Sequence, residues 1–572
     1  MSHSRRTPLL NIPIEFEPPE EDIRVVVGID FGTTFSGFSY AFVKPENVKA
    51  DIVANDNWPG IKGPAKINTV LQYDEEYEDV ITWGAKALAI EPSRRDKNNK
   101  QPPKPIELFK FHLGDVPEEE KPTLPDEMTP EKAITDYLHE MGKVIQQEIK
   151  RCWPDIDFYR HVRIVVTVPA GFTEDTKTTM RRCLYDAGLI KRIGTLSLQF
   201  TTEPEAAAIY CRSILEEHGL TIGAKYLIVD CGGGTVDLTV RKSLSESRLR
   251  EMTISTCGYY GGSYVDKNFL EFFEGKVGKS AMDMLKKNHY SQVNYLVQQF
   301  CLQVKIPFTG NEAKFETYEL DIDRKCPAVK KYVVGTQRDE LVEKDWIIDL
   351  DFETVKSFFD KVIESILTLI EQQLEKCTSC SIMFLVGGFS ESEYFQSRVK
   401  QNFESQIKIA VPPRPVIAIV NGACEYGLNM RSISTRILKW TYGVEIAPKW
   451  QANDPPNRKM SNGRIKKFSL LVKKGTEMNV TDEYSQSFSP PEPDATTLKF
   501  TIYYTSKDDA KYCDEPEMNL LGSFNIELPD AHLGMNRPVL LTLCFGSMEI
   551  VATAKNQTTG KDYLTTFSSA EI

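Results

Sequence analysis

Val25-Val26-Val27-Gly28-Ile29-Asp30-Phe31-Gly32-Thr33-Thr34 runs a β-forming segment into an aspartate, a spacer, a glycine and two threonines. The pattern returns as Tyr226-Leu227-Ile228-Val229-Asp230-Cys231-Gly232-Gly233-Gly234-Thr235-Val236-Asp237. Each copy continues into another β-like run, Ser36 to Phe42 and Val236 to Val240, which predicts a strand, a tight turn and a returning strand. Two copies in one chain predict two related halves. Glycines lack Cβ and let backbone approach a ligand closely, and successive N–H groups in a tight turn form a concave anion site. Gly32, Gly232, Gly233 and Gly234 therefore suit a polyphosphate, with hydroxyl donors from Thr33, Thr34 and Thr235. Carboxylates beside such a nest repel phosphate unless a cation lies between them, and Mg²⁺ is typically held by one or two carboxylates, several waters and the phosphates. Asp30, Asp230 and Asp237 thus predict a metal held through water.

These residues resemble the heat-shock protein 70 family, within the superfamily that also holds actin and the sugar kinases. Asp30 to Thr34 is similar to its first phosphate motif and Asp230 to Asp237 to its second. Val165-Val166-Thr167-Val168-Pro169-Ala170, followed by Thr202-Glu203-Pro204-Glu205-Ala206-Ala207-Ala208-Ile209, resembles the segment that couples nucleotide state to the other domain, with Pro169 and Glu203 at the coupling positions. Phe384-Leu385-Val386-Gly387-Gly388-Phe389-Ser390 resembles the adenosine motif, in a form shared with the divergent branch called heat-shock 70 kDa protein 12. The resemblance implies an actin-like, ribonuclease-H-like duplicated α/β ATPase domain, with ATP or ADP and Mg²⁺ as cofactors. It places Gly32, Thr33, Thr34, Gly232, Gly233, Gly234 and Thr235 on phosphates, and adds Gly261, Gly262, Lys305, Gly387, Gly388 and Phe389 to the nucleotide site. Asp30, Asp230 and Asp237 would hold the hydrated ion. One of them, or Glu203, would orient attacking water beside Thr235.

Departures from the family bear on activity. Typical members carry a lysine four residues after a glycine that assists γ-phosphate cleavage; Gly84-Ala85-Lys86-Ala87-Leu88 puts leucine there and leaves open whether Lys86 takes its place. Phosphoryl transfer depends on charge beside the equatorial oxygens, so a missing cation slows cleavage. Around the adenine the usual Glu-x-x-Lys-Arg reads Leu302, Lys305 and Ile306, and the usual Gly-Gly-Ser-x-Arg turn reads Gly387 to Glu391, with Phe389 available to stack on a base. The joint to the last part lacks the acidic, leucine-rich linker of ordinary members. With the chain ending at Ile572, soon after the last strand pattern, a helical lid is not expected.

Composition fits a large cytoplasmic protein. A chain of 572 residues, 41% hydrophobic, has room for two to four domains. Its 69 basic and 81 acidic residues, net −12, argue against electrostatic binding to nucleic acid. No apolar stretch approaches a membrane span, and the 12 scattered cysteines favour reduced thiols. Cys377-Thr378-Ser379-Cys380 has no second pair and reads as a helix-end turn, and Gly278-Lys279-Ser280 lacks the opening glycine and preceding strand of a P-loop.

Residues 1–22 read as a disordered arm, 23–222 and 223–430 as two nucleotide-binding lobes, 431–440 as a linker, and 441–572 as an all-β sandwich. In the last part Leu498, Phe500, Ile502 and Tyr504 alternate with Lys499, Thr501 and Tyr503, as on a half-buried strand. Such a sandwich can capture an extended or unfolded peptide by backbone hydrogen bonds and apolar pockets, and co-chaperones are implied by the resemblance. The reading is a slow, Mg-dependent ATPase of chaperone type. A nucleotide sensor without hydrolysis, a sugar kinase and an actin-like filament protein are its rivals.

Overall fold

Both aspartate-ending segments form strands that fold back on themselves. Val25–Asp30 pairs antiparallel with Phe35–Phe42 and parallel with Val162–Val168, which pairs in turn with Leu198–Thr202. Lys225–Cys231 pairs antiparallel with Val236–Ser245 and parallel with Ile382–Val386, which pairs with Lys408–Ala410. Each leading strand therefore has a returning partner on one side and a parallel crossover strand on the other. Parallel strands covered on both faces read as unbroken apolar runs, and every residue of Val25–Asp30 is buried. The computed structural model describes residues 22–45, 48–92, 103–114, 116–118, 121–212, 214–215, 222–245, 248–253, 255–377, 379–479, 482–545 and 550–566. The arm expected over residues 1–22 lies outside these, apart from Asp22.

Helices cover the sheets. Pro130–Cys152 starts at Thr129, whose side chain accepts from the Lys132 N–H, and it turns Ile134, Tyr137, Leu138, Met141, Ile145 and Ile149 into the core of the first sheet. Phe352–Lys376, capped by Asp351, does the same for the second with Val355, Phe359, Val362, Ile366 and Ile370. Cys377 caps the end of this helix, in line with the helix-end reading. Gly278 separates two helices, Ser263–Val277 and Lys279–Asn288, with no strand before it.

Glu203–Arg212 and Ala418–Leu428 lie between the two sheets, in a core that joins Val26 and Val165 of one to Ile228 and Phe384 of the other. Gly422 permits the helix contact: a Cβ there would fall 1.8 Å from the Ala206 carbonyl oxygen.

Beyond Thr441 two four-stranded antiparallel sheets share one apolar core. One orders Lys467–Val472, Thr441–Ile446, Thr497–Thr505 and Met518–Glu527, and the other Glu483–Phe488, Val539–Cys544, Val551–Asn556 and Asp562–Thr566. The alternating residues Leu498, Phe500, Ile502 and Tyr504 are all buried. The stretch expected as a linker contains a strand, Ile433–Ile437, parallel to Arg248–Glu251 and antiparallel to Glu477–Asn479, so it extends the second sheet. Among the described residues no helix is long and apolar enough to cross a membrane.

Candidate functional site

Hairpin register sets the carboxylates. Asp30 ends its strand opposite Gly37, while Asp230 and Asp237 face each other as a cross-strand pair. Glu203 is the first residue of the helix that follows Leu198–Thr202, and it arrives between the sheets. All four side chains are buried. Burial raises Asp230 well above the carboxylate range, and Glu203, Asp237 and Asp30 push it the same way. Asp237 is pushed up to about 7 by burial and by Glu203, against the Ala170 N–H, which donates to its Oδ1 at 3.2 Å. Its Oδ2 takes no N–H or O–H donor among the described residues, and the Cys257 thiol lies beside the carboxyl. Pro169 thus adjoins this carboxylate through the next residue.

The two turns meet. A Cβ on Gly233 would lie 1.8 Å from Thr34 Oγ1, and one on Gly234 would lie 2.9 Å from Thr33 Oγ1. Gly261 and Gly262 dock on the second turn, where the Gly262 N–H donates to the Gly232 carbonyl at 3.0 Å and the Ser263 N–H to that of Gly233 at 2.8 Å. Gly387, at φ 84°, lies so close to Asp230 that a Cβ would come within 2.3 Å of Oδ1. Lys305 donates to the Gly262 carbonyl at 2.6 Å and to Asp266 at 2.7 Å. Gly388 has open space beside it. Phe389 is placed differently from expectation: it is 7% exposed and stacks on Phe359 and Phe395 in the core, with its edge at Gly262.

Two lysines escaped sequence reasoning. Lys66 Nζ lies 2.5 Å from Asp30 Oδ2. Burial opposes its charge, yet Asp30, Asp230 and Glu203 together raise its pKa. Lys110 Nζ donates to Glu203 Oε1 at 2.8 Å. Glu203 is itself raised by burial and by Asp30, with Lys110 and Lys66 pulling it down. Lys86, by contrast, is exposed with its stem over Gly60, and half-buried Leu88 ends the short turn Gly84–Ala87. A lysine flanked by Ala65 and Ile67, or by Phe109 and Phe111, has no local mark that sets it apart from a surface position. Only the alternation with buried neighbours hints at it.

The cluster fits a divalent ion. Four carboxylates, Asp30, Glu203, Asp230 and Asp237, stand against two ammonium groups, Lys66 and Lys110, and burial together with the neighbouring carboxylates raises Asp230 and Asp237. One doubly charged cation would balance the set. Among the described residues no group of three or more His, Cys, Asp or Glu side chains is placed to ligate an ion directly. Beside the cluster lies a cavity of about 20 Å³ lined by residues that include Thr33, Lys110, Pro169, Thr235, Cys257 and Tyr259. That is room for about one water.

Two aspartate hairpins close on a buried acidic cluster, and comparison with known proteins gives the class, an Hsp70-like nucleotide-binding protein. The family described as Hsp70 protein matches residues 123–500. Heat shock 70 kDa protein 12A of Homo sapiens is 25% identical over 641 residues, taking in 95% of this chain and 91% of that one. Heat shock 70 kDa protein 12B of Homo sapiens is 23% identical with the same coverage. Chaperone protein DnaK of Elusimicrobium minutum (strain Pei191) is 24% identical over 69% of this chain and 56% of its own. The chain belongs to the Hsp70 family.

Proposed function

We propose that the cleft between the two hairpins binds Mg-ATP and hydrolyses it slowly, and that nucleotide state is passed to the β sheets beyond Thr441. The observation that carries this reading is the meeting of both turns over four buried carboxylates, of which Asp30 and Glu203 each pair with one lysine. Asp30, Asp230 and Asp237 would hold a hydrated ion, which would supply neutralising charge to the phosphates. N–H groups of Gly232, Gly233 and Gly234 and the hydroxyls of Thr33, Thr34 and Thr235 bind the phosphates. Because Thr34 touches Gly233, nucleotide entry separates the turns and closure brings the sheets together. Glu203, its carboxyl raised by burial, orients water from the adjoining cavity and takes its proton. Gly261, Gly262, Lys305, Gly387 and Gly388 form the nucleoside side of the same neighbourhood.

The β sheets offer edge strands, Lys467–Val472 and Met518–Glu527, to an extended peptide client, and co-chaperones act on a cytoplasmic protein of this type. The second reading, a nucleotide sensor without hydrolysis, is favoured by Leu88 alone.

Calorimetric titration of ATP and ADP, with and without Mg²⁺, on the intact chain and on Asp30→Ala tests the site. ATP affinity should fall on removing the metal and on the substitution; affinity indifferent to both refutes the assignment. Single-turnover cleavage separates ATPase from sensor, since a sensor leaves ATP at its solution rate.

A further inference from the structure

We propose that Leu302 and Ile306 form an apolar wall that holds the base by contact alone, so that the chain takes purine nucleoside triphosphates as a class and does not tell adenine from guanine; this rests on the nucleotide reading above. Helix Tyr290–Phe300 runs on into a wider turn, Cys301–Lys305, where the Ile306 N–H donates to the Cys301 carbonyl at 2.9 Å. Residues four apart share a face of such a helix, which lines up Gln298, Leu302 and Ile306 with Lys305 beside them. Lys305 ties this face to the site through the Gly262 carbonyl, and the Gly262 N–H donates in turn to the Gly232 carbonyl of the second turn. A nucleoside leading away from phosphates on that turn meets this face.

The polar members of the face are engaged within the protein. Lys305 donates to the Gly262 carbonyl and to Asp266, and the Gln298 amide donates to the Ala89 carbonyl at 2.9 Å and accepts from the Ala89 N–H at 3.0 Å. The apolar members are uncovered: Leu302 is 57% exposed and Ile306 70%, and Ile90, the neighbour of Ala89, is 84% exposed. Large apolar side chains left in water gain from a flat ring laid over them, and this area is continuous with the residues around the second turn. Phe389 adds no ring, since it is turned into the core. Adenine and guanine share their purine faces and differ in the donors and acceptors at their edges. A site that hydrogen-bonds such an edge rejects the wrong partner by about 10⁴-fold, whereas apolar contact separates like shapes by about 10²-fold or less.

The test is calorimetry on the full chain with Mg²⁺, comparing ATP, GTP and inorganic tripolyphosphate, before and after the double substitution Leu302→Ala with Ile306→Ala. Both side chains are exposed, so the substitutions spare the core. GTP should bind within about 10-fold of ATP, and tripolyphosphate at least about 10-fold more weakly than either. The double substitution should weaken ATP and GTP alike, by about fivefold or more, and leave tripolyphosphate unchanged. A preference for ATP over GTP beyond about 10-fold overturns the proposal and leaves the nucleotide reading intact. So does a doubly substituted chain that keeps full affinity for both nucleotides, or tripolyphosphate that binds as tightly as ATP. A chain that binds none of the three overturns both readings. Light scattering that finds a dimer dissolved by the double substitution would give the face to a second copy of the chain and likewise overturn the proposal.

Discussion

Asp237 sits buried with Oδ2 short of a donor and a carboxyl pushed up to about 7 by burial and by Glu203. Between the unfolded carboxylate value and pH 7 the folded chain keeps a proton that the unfolded chain has lost, so raising pH through that window weakens the fold. Asp237→Asn removes the penalty. It should stabilise the nucleotide-free protein at pH 7.5 by about 1–3 kcal/mol, with the gain gone near pH 4. Thermal unfolding at both values checks this, and a variant no more stable than the parent at pH 7.5 would sink it. Mg-ATP affinity of the same variant should fall, since one holder of the ion is lost. The acidic half of the cluster was legible because an aspartate at the end of a β run and another just past a glycine turn must face each other across a hairpin. The basic half was not. Lys66 and Lys110 reach the cleft through tertiary packing of short segments, and no local period announces such a meeting.

At the scale of elements, the helix Glu203–Arg212 has a second acidic residue with a different task. Glu205 accepts from Arg436 Nε at 2.8 Å and from Arg436 Nη2 at 3.2 Å, while Arg241 bonds Glu251 at 3.2 Å and lies 3.9 Å from Glu205. The Ile437 N–H also donates to Glu251 at 2.9 Å. Burial works to raise Glu205, but Arg436 and Arg241 hold it down at about 2. Its contribution to stability is present above the unfolded glutamate pKa and is lost as pH falls from there toward 2. Glu205→Gln removes the carboxylate charge that faces both buried guanidinium groups and should cost about 3–5 kcal/mol. Urea unfolding at pH 7 measures the cost, and a loss within about 0.5 kcal/mol would show the ion pairs to be dispensable. Helix Phe352–Lys376 and strands Val162–Val168 and Ile382–Val386 were readable from periodicity alone. Strand Ile433–Ile437 was not, because its polar residues Ser434, Thr435 and Arg436 are buried on partners far away in sequence.

Across the whole molecule, the two sheets are tied by one core through the helices Glu203–Arg212 and Ala418–Leu428. Glu203 and Glu205 stand two positions apart on one of these, the first in the acidic cluster and the second on Arg436. That helix is thus joined through Glu205 and Arg436 to Ile433–Ile437, whose strand pairs on both flanks just ahead of Thr441. Arg248–Glu251 flanks the strand on one side and Glu477–Asn479 on the other, with Arg250 paired to Glu477 across it. A protease must draw several residues of its target into an extended groove, and this stretch is already spliced into a sheet on both flanks. Brief trypsin treatment should leave the bond after Arg436 intact until the molecule melts as one body, so that pieces 1–436 and 437–572 never accumulate as stable fragments.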